Sequence, residues 1–325
     1  MLFEVLNQLL NKPFRILSDT IPQKKNVYIV ILKKIIKFVF AQVDTFRVLT
    51  QTITKMPTAT SYNYIENYLD QQQSRGIYSF TADELKDKFK TSPRALIKAI
   101  QRLKLKGKIA QVRKEFYVIV TPEYSHRGIM PAWNYVDALM KYLKRDYYVG
   151  LLNAAAMHGA AHQQPQDFYV IMKKPPLRDI INKKTVIRFS IKKEWKKADI
   201  IEKKTETGYV NVSSPELTAL DLVFFQDSIG GLSRLATLLD ELAEVIDAAK
   251  LVKAAKHYGQ ITTIQRLGYM LEKVLKNKEK ADPLFDWLKE QKYFSTVLQP
   301  GKKARNTRTN NRWKIIKNAS PKSDL

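Results

Sequence analysis

The residue types that carry chemistry are sparse in this chain. Cysteine is absent, which removes disulfides, thiolate metal ligands and cysteine nucleophiles. There are four histidines: His126, His158, His162 and His257. His158 and His162 are four residues apart, so on a helix they share one face and could place two ring nitrogens on one metal ion. A helical zinc-protease motif needs glutamate directly after the first histidine, and Gly159 stands there instead. The surrounding Ala and Gly point to packing. Gln163, Gln164 and Gln166 are the polar residues of this region most able to act specifically, with His158 and His162 as further candidates beside them; helix capping and satisfaction of backbone groups is the competing role, and the favoured one. The chain has no phosphate-binding glycine-rich loop and no Gly-x-Ser-x-Gly elbow. Gly230-Gly231, ahead of a helical segment, reads as a turn before it reads as a phosphate site. Asp221, between Leu220 and Leu222, reads as a buried carboxylate rather than an acid catalyst. The expectation is a protein without a catalytic site, metal or cofactor.

Charge is the stronger signal. Lys and Arg number 56 against 31 Asp and Glu, a net +25 over 325 residues. Such an excess favours polyanionic partners, nucleic acid ahead of an anionic membrane surface; a lysine-biased coding composition is the bland alternative. One group of basic and polar residues has the spacing of a DNA reader. Arg94, Lys98 and Gln101 lie at i, i+4 and i+7, on one helix face, with Arg102 beside them. Ser92 and the free amides at the start of that helix could hold a phosphate. Arg113 and Lys114 sit at the tip of a following hairpin, placed to meet the DNA backbone or minor groove.

The elements that must position these residues are legible from Ser61 to Val120. Tyr64, Ile65, Tyr68 and Leu69 recur at helical spacing and stop near Gly76. Ile77–Phe80 reads as a short strand. Thr81-Ala82-Asp83-Glu84 has the spacing of a capping box and opens a second helix. Ser92-Pro93 opens a third, since serine accepts free amide hydrogens and proline loses nothing at the first helical position. Its expected buried stripe is Leu96, Ile97, Ile100 and Leu103, and Gly107 ends it. Ile109–Val112 and Phe116–Val120 form a hairpin around Arg113-Lys114-Glu115. This order is that of a winged helix-turn-helix, whose third helix enters the major groove. A protein-docking role is the alternative for the same architecture.

The expected fold class is α+β: an N-terminal winged helix-turn-helix at 56–121, a linker Thr121–Pro131, a larger mixed α/β domain at 132–318 and a tail at 319–325. In the larger domain Trp133–Leu143 and Tyr147–Ala161 read as helices, and Phe168–Met172, Val186–Ile191 and Tyr209–Val212 as strands. Helices follow at Pro215–Phe225 (capped by Ser214), Ser233–Ile246, Ala248–Tyr258, Thr262–Leu275 and Leu284–Gln291, with a β-like core at Trp313–Ile316. Residues 1–55 look foreign to the rest. They read as sequence upstream of a natural start at Met56, or as an amphipathic arm for a membrane surface or partner. Their most apolar stretch, Asn26–Val43, is broken by Lys33, Lys34 and Lys37, so it suits neither a membrane span nor a signal peptide. Together with the missing cysteines this leads to the expectation of a cytoplasmic protein.

Four motifs of the larger domain resemble one family. These are YYVGLLNAAAMHGAAHQQPQDFYVI (147–171), TGYVNVSSPELTALDLV (207–223), GGLSRLATLLDELAE (230–244) and QRLGYMLEKV (265–274). In this order and at these distances they resemble the AbiEi antitoxins of bacterial abortive-infection modules, and the resemblance runs over nearly all of 61–318, including the closing NNRWKIIKN. It implies a winged helix that binds inverted repeats in its own promoter and represses the operon. It also implies a C-terminal domain opposing a nucleotidyltransferase-like toxin encoded next door, in the type IV manner that needs no stable complex. A nucleic-acid-processing enzyme targeted by a winged helix and a docking scaffold are the alternatives. The toxin itself is excluded, because its Gly-Ser pair does not occur here.

Overall fold

The computed structural model describes residues 64–160, 165–182, 185–304 and 308–321. The expectations for residues 1–55, for a start at Met56, and for His162, Gln163 and Gln164 lie outside the described residues.

The chain order of the first elements follows from their caps. Helix α1 (Tyr64–Ser74) buries Ile65 and Leu69 and leads to strand β1 (Ser79–Thr81). Thr81 then opens α2 (Ala82–Phe89) with a full capping box: its Oγ1 accepts the Glu84 amide at 3.2 Å, and the Glu84 carboxylate accepts the Thr81 amide at 3.3 Å. Lys90 turns the chain in a left-handed conformation, and Ser92 caps α3 (Pro93–Leu105) by accepting the Ala95 amide at 3.3 Å. Strands β2 (Ile109–Arg113) and β3 (Phe116–Ile119) complete a three-stranded antiparallel sheet in the order β1-β3-β2.

All four residues of β3 are buried, because each face of the strand meets a different core. Tyr117 and Ile119 pack with Ile65, Leu69, Leu85, Leu96, Ile100 and Leu103 of the helices. Phe116 and Val118, with Val112 of β2, pack into the larger region against Tyr135, Leu139 and Met140. The expected stripe on α3 needs one correction. Leu96, Ile100 and Leu103 are buried, but Ile97 is 55% exposed. Two adjacent apolar residues on a helix point about 100° apart, and here the core takes only Leu96.

The larger region is a six-stranded mixed sheet with strand order β6-β7-β5-β4-β9-β8. Its strands are β4 (Tyr147–Val149), β5 (Asp167–Met172), β6 (Ile180–Asn182), β7 (Thr185–Ile191), β8 (Ile200–Thr205) and β9 (Gly208–Ser213). Side chains alternate between its faces. Tyr147, Val149, Phe168, Val170 and Met172 face a layer that includes α4 (Val136–Tyr142) and the hairpin β2–β3. Tyr148, Tyr169 and Ile171 face a helical layer. That layer contains α5 (Leu151–Met157), α6 (Pro215–Phe224), α7 (Leu232–Ala243), α8 (Ala248–Tyr258), α9 (Ile261–Tyr269), running on into a π-helical turn at Met270–Val274, and α10 (Lys278–Leu288).

Tyr147–Ala161 is therefore not one helix. Its first three residues are the central strand β4, and α5 begins only after Gly150. A Cβ at that glycine would stand 2.8 Å from Ile171 Cγ1, so glycine lets the chain turn against its neighbour strand. Two edge strands, β6 and β8, were not expected. Helix α10 starts six residues before the expected Leu284, with Asn277 as its cap and Pro283 inside it. At the far end, β11 (Ile315–Ile316) pairs in parallel with β10 (Thr296–Val297). This brings Trp313, fully buried, flat onto Gly268 of α9.

Candidate nucleic-acid interface and a buried polar centre

The outward face of α3 is rich in cationic residues. The helix contains Arg94, Lys98, Arg102 and Lys104 and no acidic residue. Ser92, Arg94, Lys98, Gln101 and Arg102 are all exposed. Arg94 is the second residue of the helix, at the positive end of its dipole, where a cation is disfavoured by about 0.3–1 kcal/mol. Helix α2 shows the ordinary arrangement, with Asp83 and Glu84 in its first turn. Lys104 and Lys106 are engaged, the first with Gln111 at 2.8 Å and the second with Glu66 at 2.6 Å. Ser92 uses an oxygen lone pair for its cap, which leaves its hydroxyl proton available to an acceptor.

The hairpin tip is split in its roles. Lys114 is exposed and Arg113 is half-buried. Arg113 donates from its guanidinium to the Arg178 carbonyl at 3.3 Å, and Tyr142 donates its hydroxyl to the Lys114 carbonyl at 3.3 Å. The Phe116 and Tyr142 rings meet at 5.4 Å between centroids. The hairpin is thus fastened along the larger region, with one cation left outward.

The larger region holds a polar centre that sequence reasoning found only as the single residue Asp221. Asp221 is fully buried in α6. It accepts the Tyr148 hydroxyl at 2.7 Å, the Lys192 ammonium at 2.8 Å and the Tyr258 hydroxyl at 3.0 Å. The Lys192 ammonium also lies 3.8 Å from the Tyr258 ring centroid, a cation–π contact in a desolvated setting. Burial pulls the Lys192 pKa below its usual value, and the Asp221 carboxylate opposes the shift. Both tyrosine hydroxyls are pushed well above theirs, first by burial and then by the same carboxylate. Beside this group His257 Nδ1 meets the buried Asp199 at 2.9 Å. These contacts join β4, the segment after β7, α6 and α8. They act as a closed polar clamp between sheet and helices, with the acceptors of Asp221 occupied by partners from three elements.

His158 ends α5 and donates from Nε2 to the Ser213 carbonyl at 2.8 Å. Burial lowers its pKa below the usual histidine value, and the hydrogen bond to Ser213 opposes the shift. Among the described residues no group of three or more His, Asp or Glu side chains is placed to hold a metal ion. Among the same residues no helix is long and apolar enough to cross a membrane. Gly231 precedes α7 and its amide bonds to the Gln226 carbonyl at 3.0 Å, a turn geometry.

Comparison with known proteins places the larger region. Residues 148–273 match the family described as the AbiEi antitoxin C-terminal domain, which runs from the central strand β4 to the π-helical turn. Among solved structures, the RV2827C protein from Mycobacterium tuberculosis is similar in fold. The similarity covers 78% of this chain and 90% of that one, with 13% identity and a TM-score of 0.55. No curated protein matches the sequence.

Proposed function

We propose that this chain, whose residues 148–273 match the AbiEi antitoxin C-terminal domain family, is the antitoxin of a type IV toxin–antitoxin pair and the repressor of its own operon. In this reading residues 56–121 are a winged helix that binds double-stranded DNA at inverted repeats in the promoter, and 132–318 are the antitoxin domain. The partner is a nucleotidyltransferase-like toxin encoded next door, opposed without need of a stable complex. The protein acts in the cytoplasm, without catalytic activity of its own.

The family match supports the antitoxin half. The observation that carries the DNA-binding half is α3: an acid-free helix with an exposed outer face and Arg94 at the positive end of its dipole, an arrangement that an external anion would favour. In this assignment Arg94, Lys98, Gln101 and Arg102 face the groove, the Ser92 hydroxyl and the Arg94 amide take a phosphate, and Lys114 reaches the backbone. Arg113 holds the hairpin in place.

The test is a gel shift on the DNA upstream of the coding sequence, with wild type and with Arg94→Ala plus Lys98→Ala, beside growth rescue against the adjacent toxin. The double variant is expected to lose promoter binding and to keep rescue. Unchanged affinity would remove α3 from the interface, and failure of the wild type to rescue would remove the antitoxin role.

A further inference from the structure

We infer that Ile97 is a base-reading side chain that recognises the 5-methyl group of a thymine in the major groove. The inference rests on the proposal that α3 binds DNA, and it adds what that helix reads.

Ile97 is 55% exposed, although the apolar periodicity of α3 would bury it. At about 100° per residue it points roughly 60° from Arg94 and 40° from Gln101, so the three share the outward side of the helix with Lys98. All four lie in the first nine residues of α3, the end of a recognition helix that meets base edges. The neighbours offer hydrogen-bond donors, and Gln101 an acceptor as well. Isoleucine offers neither. The base feature complementary to it in the groove is the thymine methyl, which distinguishes that base from the others by apolar contact.

Free-protein stability gives no reason for isoleucine at this site. A β-branched residue is a poorer helix former than Ala, Lys or Gln, and here it gains little burial in return. Leu105, at 88% exposure the other bare apolar residue of this face, stands about 12 Å further along the axis. That is beyond the step read by Arg94 and Gln101.

The experiment uses the upstream DNA with each thymine replaced singly by deoxyuridine, which removes only the methyl, and reads affinity by fluorescence anisotropy. For wild type, one position in each half-site should weaken binding about fourfold, the effect of one methyl group returned to water. Ile97→Ala, which favours the helix and leaves the core untouched, should bind thymine DNA about fourfold more weakly and show no sensitivity to deoxyuridine at that position. Wild-type binding that ignores every substitution overturns the role of Ile97 and leaves DNA binding by α3 standing. So does an Ile97→Ala protein that keeps the sensitivity. If wild type binds no upstream DNA at all, the DNA-binding reading fails first and this inference with it.

Discussion

Replacing Gly268 by alanine should destabilise the protein, although the change improves the helix as a helix. Gly268 lies inside α9, where glycine costs about 1 kcal/mol relative to alanine. A Cβ built there would stand 2.0 Å from Trp313 Cζ3, 2.1 Å from Cη2 and 2.5 Å from Cε3. Ordinary carbon contacts need about 3.5 Å, so the indole would have to retreat by about 1.5 Å. It has no room to do so. Its Nε1 donates to Glu272 at 2.7 Å, the Trp313 backbone carbonyl accepts the Gln265 side-chain amide at 2.7 Å, and Phe285 abuts the ring edge-to-face at 5.3 Å. Expelling the ring forfeits what truncating a buried tryptophan forfeits, about 3–5 kcal/mol. Less the helical gain of about 1 kcal/mol, the net loss is about 2–4 kcal/mol, or a fall in Tm of roughly 4–16 °C for a unit of this size. Urea unfolding followed by tryptophan fluorescence, with thermal melts by circular dichroism, measures it. The decisive control is the same substitution in a Trp313→Ala background. With the ring gone, alanine at 268 should stabilise by about 1 kcal/mol, so the sign must reverse. A neutral or stabilising Gly268→Ala in the wild-type background would refute the packing argument.

Other consequences are open to simple measurement. Burial opposes ionisation of Glu272, but hydrogen bonds from Lys273, Trp313 and Arg312 outweigh it and hold its pKa at about 2 against an ordinary 4.5. A depressed carboxylate contributes stability that is complete above about pH 4.5 and is lost as pH falls through about 2. Glu272→Gln should therefore flatten the acid limb of the urea midpoint between those values, and an unchanged limb would assign the acid sensitivity elsewhere. Asp221→Ala strands the Lys192 charge and two hydroxyls in the interior and should cost about 3–5 kcal/mol. Adding Lys192→Met should recover much of that, and additive losses would deny the coupling. If Arg94 and Lys98 both contact phosphates, their joint replacement by alanine lowers the slope of log affinity against log salt by about 1.8. A fall in affinity with the slope intact would assign them to bases instead.

What the sequence made legible follows the reach of the forces involved. The starts of α2 and α3 are set by contacts within three residues, so Thr81 with Glu84 and the pair Ser92-Pro93 could be read directly. The fate of Ile97 could not, because a run such as Leu-Ile offers two faces and the choice belongs to whatever packs against the helix. Tyr147–Val149 was misread for a related reason. A strand covered on both faces is a continuous apolar run, and periodicity does not separate it from a buried helix. The edge strands β6 and β8 are short or charged, as edges that avoid pairing with strangers tend to be, and so carry little strand signal. Asp221 was recognisable as buried, but its partners are 73, 29 and 37 residues away, beyond any local rule. Gly268 did carry a readable sign. A glycine inside the periodic run QRLGYML sacrifices helix propensity, and something must lie close against it to justify the loss.

The two-faced burial of β3 bears on how such a protein can be taken apart. Cutting the chain after residue 121 would leave the helical core of the small region intact while baring Val112, Phe116 and Val118 to water. A fragment of that kind offers a ready apolar surface for self-association, and its insolubility would say nothing about DNA. Exchanging this region between relatives meets the same obstacle, because a grafted hairpin must match Tyr135, Leu139 and Met140 as well as its own helices. On the proposed reading, DNA specificity would be more easily redirected by point changes on the outer face of α3 than by swapping the whole small region.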